Sequence, residues 1–207
     1  LCAVQGLSAD DRVLLLLSGG GSALFEKPLV PLAELQNVNR QLLASGADIV
    51  EINTIRKRLS AVKGGRFAQA CAPARVVSII LSDVVGDRPD MIASGPACPD
   101  RSTAAEALEI VQKYDLKLSE RARSLLSAEP VRALENAAVR VTGGVRQLCR
   151  SAMDACARRG YRPVLLTDCL GCEAREAGRF LGSIARTHAN GGERLAFIAG
   201  GETVVHL

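Results

Sequence analysis

Apolar runs of five or six residues alternate along this chain with amphipathic stretches of ten or more. That rhythm restricts the fold more than any other feature, because a strand followed by a helical crossover brings the next strand back parallel to the first. It predicts an α/β fold, a Rossmann-like layered αβα domain around a mainly parallel sheet. The candidate strands are Val13 to Leu17, Ala74 to Leu81, Ala138 to Thr142, Arg162 to Leu166, and Leu195 to Ile198, the last turning back into a partner at Thr203 to His206. Their leucine and β-branched content is that of strands covered on both faces.

A 3.6-residue period marks the helices. After Pro31, the residues Leu32, Leu35, Val38, Leu42 and Leu43 share one face, with Gly46 as the stop. A second helix starts near Asp48, carries Ile49, Ile52, Ile55, Leu59 and Val62, and stops at Gly64-Gly65. A short third runs from Arg66 to Cys71. Ser102 is the expected N-cap of a helix through Tyr114, and Ser119 opens another to Ser127. Arg146 to Arg159 should direct Leu148, Cys149, Ala152, Cys156 and Ala157 inward. The last helix, Glu173 to Ala189, should do the same with Ala177, Phe180, Leu181, Ile184 and Ala185. Between them, Ala128 to Asn136 is expected to be loop or short helix.

Composition narrows the function classes. The 26 Lys+Arg against 22 Asp+Glu give a net charge of +4, too small for a nucleic-acid-binding arm. Aromatic residues make up 3% with no Trp, so stacking platforms for single-stranded nucleic acid are lacking too. The longest apolar runs reach about a third of a bilayer span. A content of 48% hydrophobic and 23% charged residues suits a packed core. A cytoplasmic protein without nucleic-acid or membrane partners is expected. The seven cysteines are odd in number and mostly set among alanine and leucine, which favours free thiols. The lone C-x-x-C, Cys169 with Cys172, has no second pair to complete a zinc site. The chain opens on Leu1 and its final strands lack a cap, so a piece of a longer protein, truncated at both ends, is expected.

In open parallel sheets ligands bind beyond the carboxyl ends of the strands. The first apolar run leads there into Ser18-Gly19-Gly20-Gly21-Ser22, where three glycines let backbone amides approach an anion and two hydroxyls add donors. The alternative is a tight strand-to-loop turn. Neither a Walker pattern nor a G-x-G-x-x-G dinucleotide fingerprint is present. The second strand ends in Ser82-Asp83-Val84-Val85-Gly86-Asp87, followed by Ala93-Ser94-Gly95-Pro96. Asp83 and Asp87 suit Mg²⁺ held through water, or one of them a proton taken from a substrate hydroxyl; otherwise Asp83 caps the turn and Asp87 and Asp90 are solvated. Asn53, Arg56, Lys57, Lys63 and Arg66 gather near one helix and its C-terminal end, where cations complement the helix dipole. Only Lys63, beside Gly64-Gly65, has the look of an anion-binding turn. Asp168 and Glu202 follow later strands as metal ligands or N-caps. His188 and His206 have no visible Ser or Cys partner, which argues against a hydrolytic triad.

Taken together, Leu15-Leu16-Leu17-Ser18-Gly19-Gly20-Gly21-Ser22-Ala23-Leu24, Ile52-Asn53-Thr54-Ile55-Arg56-Lys57 with Leu59-Ser60 and Lys63-Gly64-Gly65, Ile80-Leu81-Ser82-Asp83-Val84-Val85-Gly86-Asp87, and Ile92-Ala93-Ser94-Gly95-Pro96 resemble the MOFRL-type glycerate kinases. The resemblance continues through Leu165-Leu166-Thr167-Asp168 and Ala199-Gly200-Gly201-Glu202-Thr203. It implies residues 1–190 as the main part of the N-terminal kinase domain and 191–207 as the start of the C-terminal MOFRL domain. It also implies ATP and Mg²⁺ as cofactors, D-glycerate as the small-molecule substrate phosphorylated at the 2-hydroxyl, and a homodimer. A catalytic lysine would lie upstream and a Gly-Arg-Asn-Gln segment downstream, so these residues alone are expected to be inactive. Where the family usually shows Gly-Ser-Asn, this chain has Gly143-Gly144-Val145, with the loss of a hydroxyl and an amide.

The resemblance assigns roles residue by residue. Ser18, Gly19, Gly20, Gly21 and Ser22 would cradle phosphate or the glycerate carboxylate, with Asn53, Arg56, Lys57 and Ser94 as further binding groups. Asp83 and Lys63 would be catalytic, and Asp83 with Asp87 would bind the metal. Two rival readings are a hydroxypyruvate reductase, which the missing fingerprint opposes, and a non-catalytic anion-binding fragment.

Overall fold

The computed structural model of the chain describes residues 1–18, 20–82 and 88–205. They form two compact units, one of Leu1–Leu81 with Arg88–Thr142, the other chiefly of Gly143–Leu207. The first contains β1 (Arg12–Leu17), α1 (Gly21–Leu24), α2 (Leu32–Ala44), α3 (Ile49–Arg58), α4 (Arg66–Ala70), β2 (Arg75–Leu81), α5 (Ala104–Lys113), α6 (Glu120–Ser127) and most of β3 (Ala137–Gly143). The second contains α7 (Val145–Arg158), β4 (Arg162–Leu170), α8 (Ala174–His188) and β5 (Leu195–Gly201). The fold is α/β, as the alternating pattern predicts.

In the first unit the strands lie in the order β1-β2-β3. β1 and β2 run parallel, from Arg12 opposite Arg75 to Leu17 opposite Ile80. The link to β3 ascends the same way, from Val76 N–H on Asn136 O to Ser82 N–H on Gly143 O. One face of this sheet packs Val76, with Val13, Leu15 and Val139, onto Val62, Phe67, Ala68 and Cys71. The other face departs from expectation. Leu14 is 61% and Leu16 67% exposed, so these strands are covered on one side only. A separate core joins Val38 and Leu42 of α2, Ile55 of α3, Ala107 and Ile110 of α5, and Leu126 of α6. Leu43, one 100° step from Leu42, falls off that stripe and is exposed, as are Leu32 and Ile49.

The start of α3 is written locally. Asp48 accepts from the amides of Val50 and Glu51 while Glu51 reaches back to the Asp48 amide, a reciprocal capping box. Its end departs from expectation: the helix stops at Arg58, well before Gly64. Arg66 holds it there, donating to the carbonyls of Lys57, Arg58 and Ser60 at 3.0, 3.0 and 2.6 Å. This cation therefore does complement the helix terminus. The N-cap of α5 is Thr103, one residue beyond the expected Ser102, again with a capping box to Glu106.

In the second unit β4 and β5 pair in parallel and run longer than their apolar runs suggest. Thr167 and Gly201 continue the ladder, so Gly200-Gly201 is strand rather than turn. The expected partner strand reduces, among the described residues, to one bridge between Glu173 and Val204, and His206 lies outside them. Gly200 sits against Cys149 and Val145 of α7 with no room for a side chain, which explains why Cys149 is buried. Leu148 and Phe180, expected inside, are 71% and 62% exposed, and Ala157 and Ala185 are exposed as well. All seven cysteines are free thiols. Among the described residues no helix is long and apolar enough to cross a membrane.

Candidate functional site

The chain leaves β1 at Leu17 and turns through exposed Ser18 and Gly20 into α1. Gly20 has φ +84°, a left-handed conformation that glycine adopts without strain. Gly21 serves a different need: a Cβ there would lie 3.3 Å from that of Ala93, so the glycine lets this loop approach the segment after β2. That segment is itself unusual. Ala93, Ser94 and Gly95 all have positive φ, 50°, 58° and 63°, a conformation that non-glycine residues keep only when their surroundings fix it.

The surroundings are two buried groups and a backbone clasp. Ser94 Oγ donates to Asn53 Oδ1 at 2.9 Å, both residues buried. The amides of Gly64 and Gly65 donate to the carbonyls of Ser94 and Gly95 at 2.9 and 2.8 Å. Gly65, at φ +83°, passes so near Cys98 O that a Cβ would come within 2.9 Å. The turn after α3 thus holds the Ser94 segment, and that segment lies under the glycine loop.

Two cations complete this half of the site. Lys63 is fully buried, and its ammonium donates to Ser22 O at 2.8 Å, Phe25 O at 3.2 Å and Ala93 O at 3.4 Å. Arg56 Nη2 reaches the same Ser22 carbonyl at 3.0 Å. Burial lowers the Lys63 pKa to about 8, the Glu26 carboxylate at 3.7 Å countering only part of that and the Arg56 charge adding to it.

Lys57 goes elsewhere. It lines a cleft of about 550 Å³ together with Glu51, Asp90, Asp100, Ser102 and Lys113. Its ammonium stands 3.8 Å from Asp90 and 3.6 Å from Asp100. Burial of Asp90 opposes ionisation, yet the Arg88 hydrogen bonds and the Lys57 charge hold its carboxyl below the usual range.

Residues 1–127 match the family described as "Domain of unknown function (DUF4147)". The chain belongs to that family. It is 48% identical over 210 residues to the D-glycerate 2-kinase of Thermotoga maritima, covering 99% of this chain and 50% of that protein. It is 43% identical to an Agrobacterium vitis protein provisionally named a hydroxypyruvate reductase, covering 99% of this chain and 49% of the other. Among solved structures, the glycerate kinase of Thermotoga maritima superposes with a TM-score of 0.90 at 47% identity, covering 99% of this chain and 51% of that one. The chain spans about half the length of these relatives.

In this DUF4147 chain the fold brings together Ser18, Gly20, Gly21, Ser22, Asn53, Arg56, Lys63 and Ser94, while Lys57 belongs to the cleft. Gly19, Asp83 and Asp87 lie outside the described residues. Sequence reasoning missed Glu26 and Asp100 as charge partners, and Asp90, expected to be solvated, is instead half-buried and paired with Arg88 and Lys57. For Asp100 a local signal exists in Asp-x-Ser, since its Oδ1 accepts from the Ser102 amide and hydroxyl. Among the described residues no group of three or more His, Cys, Asp or Glu is arranged to hold a metal ion.

Proposed function

We propose that this chain is part of a glycerate kinase that transfers the γ-phosphoryl group of ATP to the 2-hydroxyl of D-glycerate. The observation that carries this reading is the glycine loop at the carboxyl end of β1, braced by the Ser94 segment, in a chain 48% identical to a D-glycerate 2-kinase over almost its whole length. Phosphoryl transfer asks a protein mainly to position the reactants and neutralise charge. The loop from Ser18 to Ser22 would present backbone amides and hydroxyls to phosphate or the substrate carboxylate. Asn53 and Ser94 would fix its floor, and Arg56 would supply positive potential. Lys57 would act from the neighbouring cleft.

Asp83 would take the proton from the attacking hydroxyl. Mg²⁺ would supply charge neutralisation on the ATP phosphates, with Asp83 and Asp87 as the protein carboxylates assigned to it; Asp90 and Asp100 are already engaged by Arg88, Lys57 and Ser102. The reading includes a cytoplasmic, homodimeric enzyme acting on a small molecule, and a net charge of +4 agrees with the absence of a nucleic-acid partner.

The test is to assay the full-length chain containing these residues with ATP, Mg²⁺ and D-glycerate, and to identify the product by ³¹P NMR. ADP formation with 2-phosphoglycerate is expected. NADH oxidation by hydroxypyruvate without glycerate-dependent ADP release would replace the kinase reading with the reductase. A 3-phosphoglycerate product would reassign the acceptor hydroxyl.

A further inference from the structure

We infer that Lys63 and Arg56 are positioning residues that share one acceptor on the glycine loop, the carbonyl oxygen of Ser22, and do not themselves meet the ligand. This inference rests on the loop's being the anion site proposed above. An ammonium has three protons to donate. Those of Lys63 have three acceptors, two on the loop side at Ser22 and Phe25 and one on the opposed segment at Ala93. The side chain is fully buried, so nothing remains to reach a substrate. Arg56 approaches the Ser22 carbonyl from α3 at 3.0 Å. One peptide oxygen thus receives two cationic donors, which fixes the Ser22-Ala23 peptide plane, whose own amide, that of Ala23, donates back to Gly20 O at 3.3 Å.

The backbone of Lys63 is fixed in turn. Its amide and that of Val62 donate to Ser60 Oγ at 3.3 and 3.2 Å, and the following glycines clasp Ser94 and Gly95. The charged groups facing the ammonium are Glu26 at 3.7 Å and the Arg56 guanidinium. Both Glu26 oxygens are buried without a hydrogen bond, so Glu26 compensates the ammonium by its charge while the three carbonyls take its hydrogen bonds. Burial of that charge brings its pKa to about 8, so the Lys63 grip should weaken as pH rises past that value.

The experiment compares the full-length wild type with Lys63→Met and Arg56→Gln. Two readouts are followed across the range around pH 8: glycerate-dependent ADP formation, and the ¹³C signal of the Ser22 carbonyl. A misplaced loop should lower kcat/KM about a hundredfold in Lys63→Met and less in Arg56→Gln. In the wild type the carbonyl signal should titrate near pH 8 together with activity, and in Lys63→Met it should be displaced and pH-independent. Variants with wild-type turnover, or a Ser22 carbonyl indifferent to both substitutions, overturn the inference. If Lys63→Met does not fold, Arg56→Gln decides by the same criteria, since it removes one donor from a half-buried position. A wild type without kinase activity refutes the proposed function, and the carbonyl signal still judges the grip.

Discussion

Lys57 stands between two carboxylates, Asp90 at 3.8 Å and Asp100 at 3.6 Å, whereas Lys63 ends among the carbonyls of Ser22, Phe25 and Ala93 with Glu26 at 3.7 Å. Both side chains are buried, 6% and 0% exposed. Their compensation differs in kind. Lys57 is matched by full negative charges that belong to the packed segment after β2, so it acts as part of the wall of the cleft. Lys63 is matched by a single carboxylate, Glu26, together with three carbonyl dipoles, and burial lowers its pKa to about 8. A charge kept where compensation is incomplete is informative, because a neutral donor would satisfy the same carbonyls at lower desolvation cost. What the charge adds is a field on the loop.

The largest expected effect lies on the Lys57 side. Asp100 is 2% exposed and accepts from Ser102 as well as facing Lys57. Asp100→Ala should therefore cost about 3 to 5 kcal/mol, as loss of one partner of a buried ion pair does, measured by urea unfolding. A cost below 1 kcal/mol, on the scale of an exposed pair, would erase the contrast between the two lysines.

Lys63→Met should cost less, about 1 to 3 kcal/mol at neutral pH, because removal of a desolvated charge offsets part of the cost of the orphaned carbonyls and of the Glu26 carboxylate left without its cation. Its pH dependence is the sharper test. The folded-state pKa of about 8 lies below the ordinary 10.5, so between those values the unfolded chain binds more protons. Stability should rise with pH across that window in the wild type. The rise should vanish in Lys63→Met. A wild type whose stability is flat there would mean that the ammonium is better compensated than its carbonyl shell implies.

This contrast was only half legible in the sequence. The strands of the first unit lie close to where apolar runs start and stop, since that signal depends only on which residues repel water. The end of α3 was hidden because Ile52, Ile55, Leu59 and Val62 keep a helical stripe while the backbone leaves the helix after Arg58. Leu148 and Phe180 carry the right period but lie on exposed faces of α7 and α8. At the site, the serine-glycine loop, Asn53 and Ser94 were readable as motifs. No spacing rule reveals that Lys63 bends inward to carbonyls while Lys57 meets Asp90 and Asp100, residues far along the chain.

Glycine substitutions sharpen the comparison from the loop's side. At Gly21, alanine would bring a Cβ to 3.3 Å from Ala93, on the side where Lys63 ties the two segments together. At Gly20 space is open and only the φ of +84° objects. Both should destabilise by about 1 kcal/mol, through crowding in one case and backbone conformation in the other. Their effects on Lys63 should differ. Combined with Lys63→Met, Gly21→Ala should deviate from additivity, since both perturb the Ala93 contact, while Gly20→Ala should add. Equal additivity for the two would mean that Lys63 does not govern the approach of the loop to Ala93.

The smallest effect belongs to Glu51, on the cleft wall beside Lys57. Lys113 at 2.6 Å, Tyr114 at 2.7 Å and the Asp48 amide at 3.0 Å hold its pKa near 2 rather than 4.5. The sign is opposite to that of Lys63. A carboxyl whose folded pKa is depressed contributes stability above its ordinary pKa and loses it as pH falls through the folded value. The gap between wild type and Glu51→Gln in urea midpoint should therefore be constant above pH 4.5 and close toward pH 2. Because Lys113 is well exposed, salt should narrow the gap, as it would not for the buried Lys57 pair. A gap that closes toward pH 2 but is indifferent to salt would assign Glu51 to the capping box alone, leaving half-buried Asp90 and buried Asp100 as the charges that set the cleft apart from the loop.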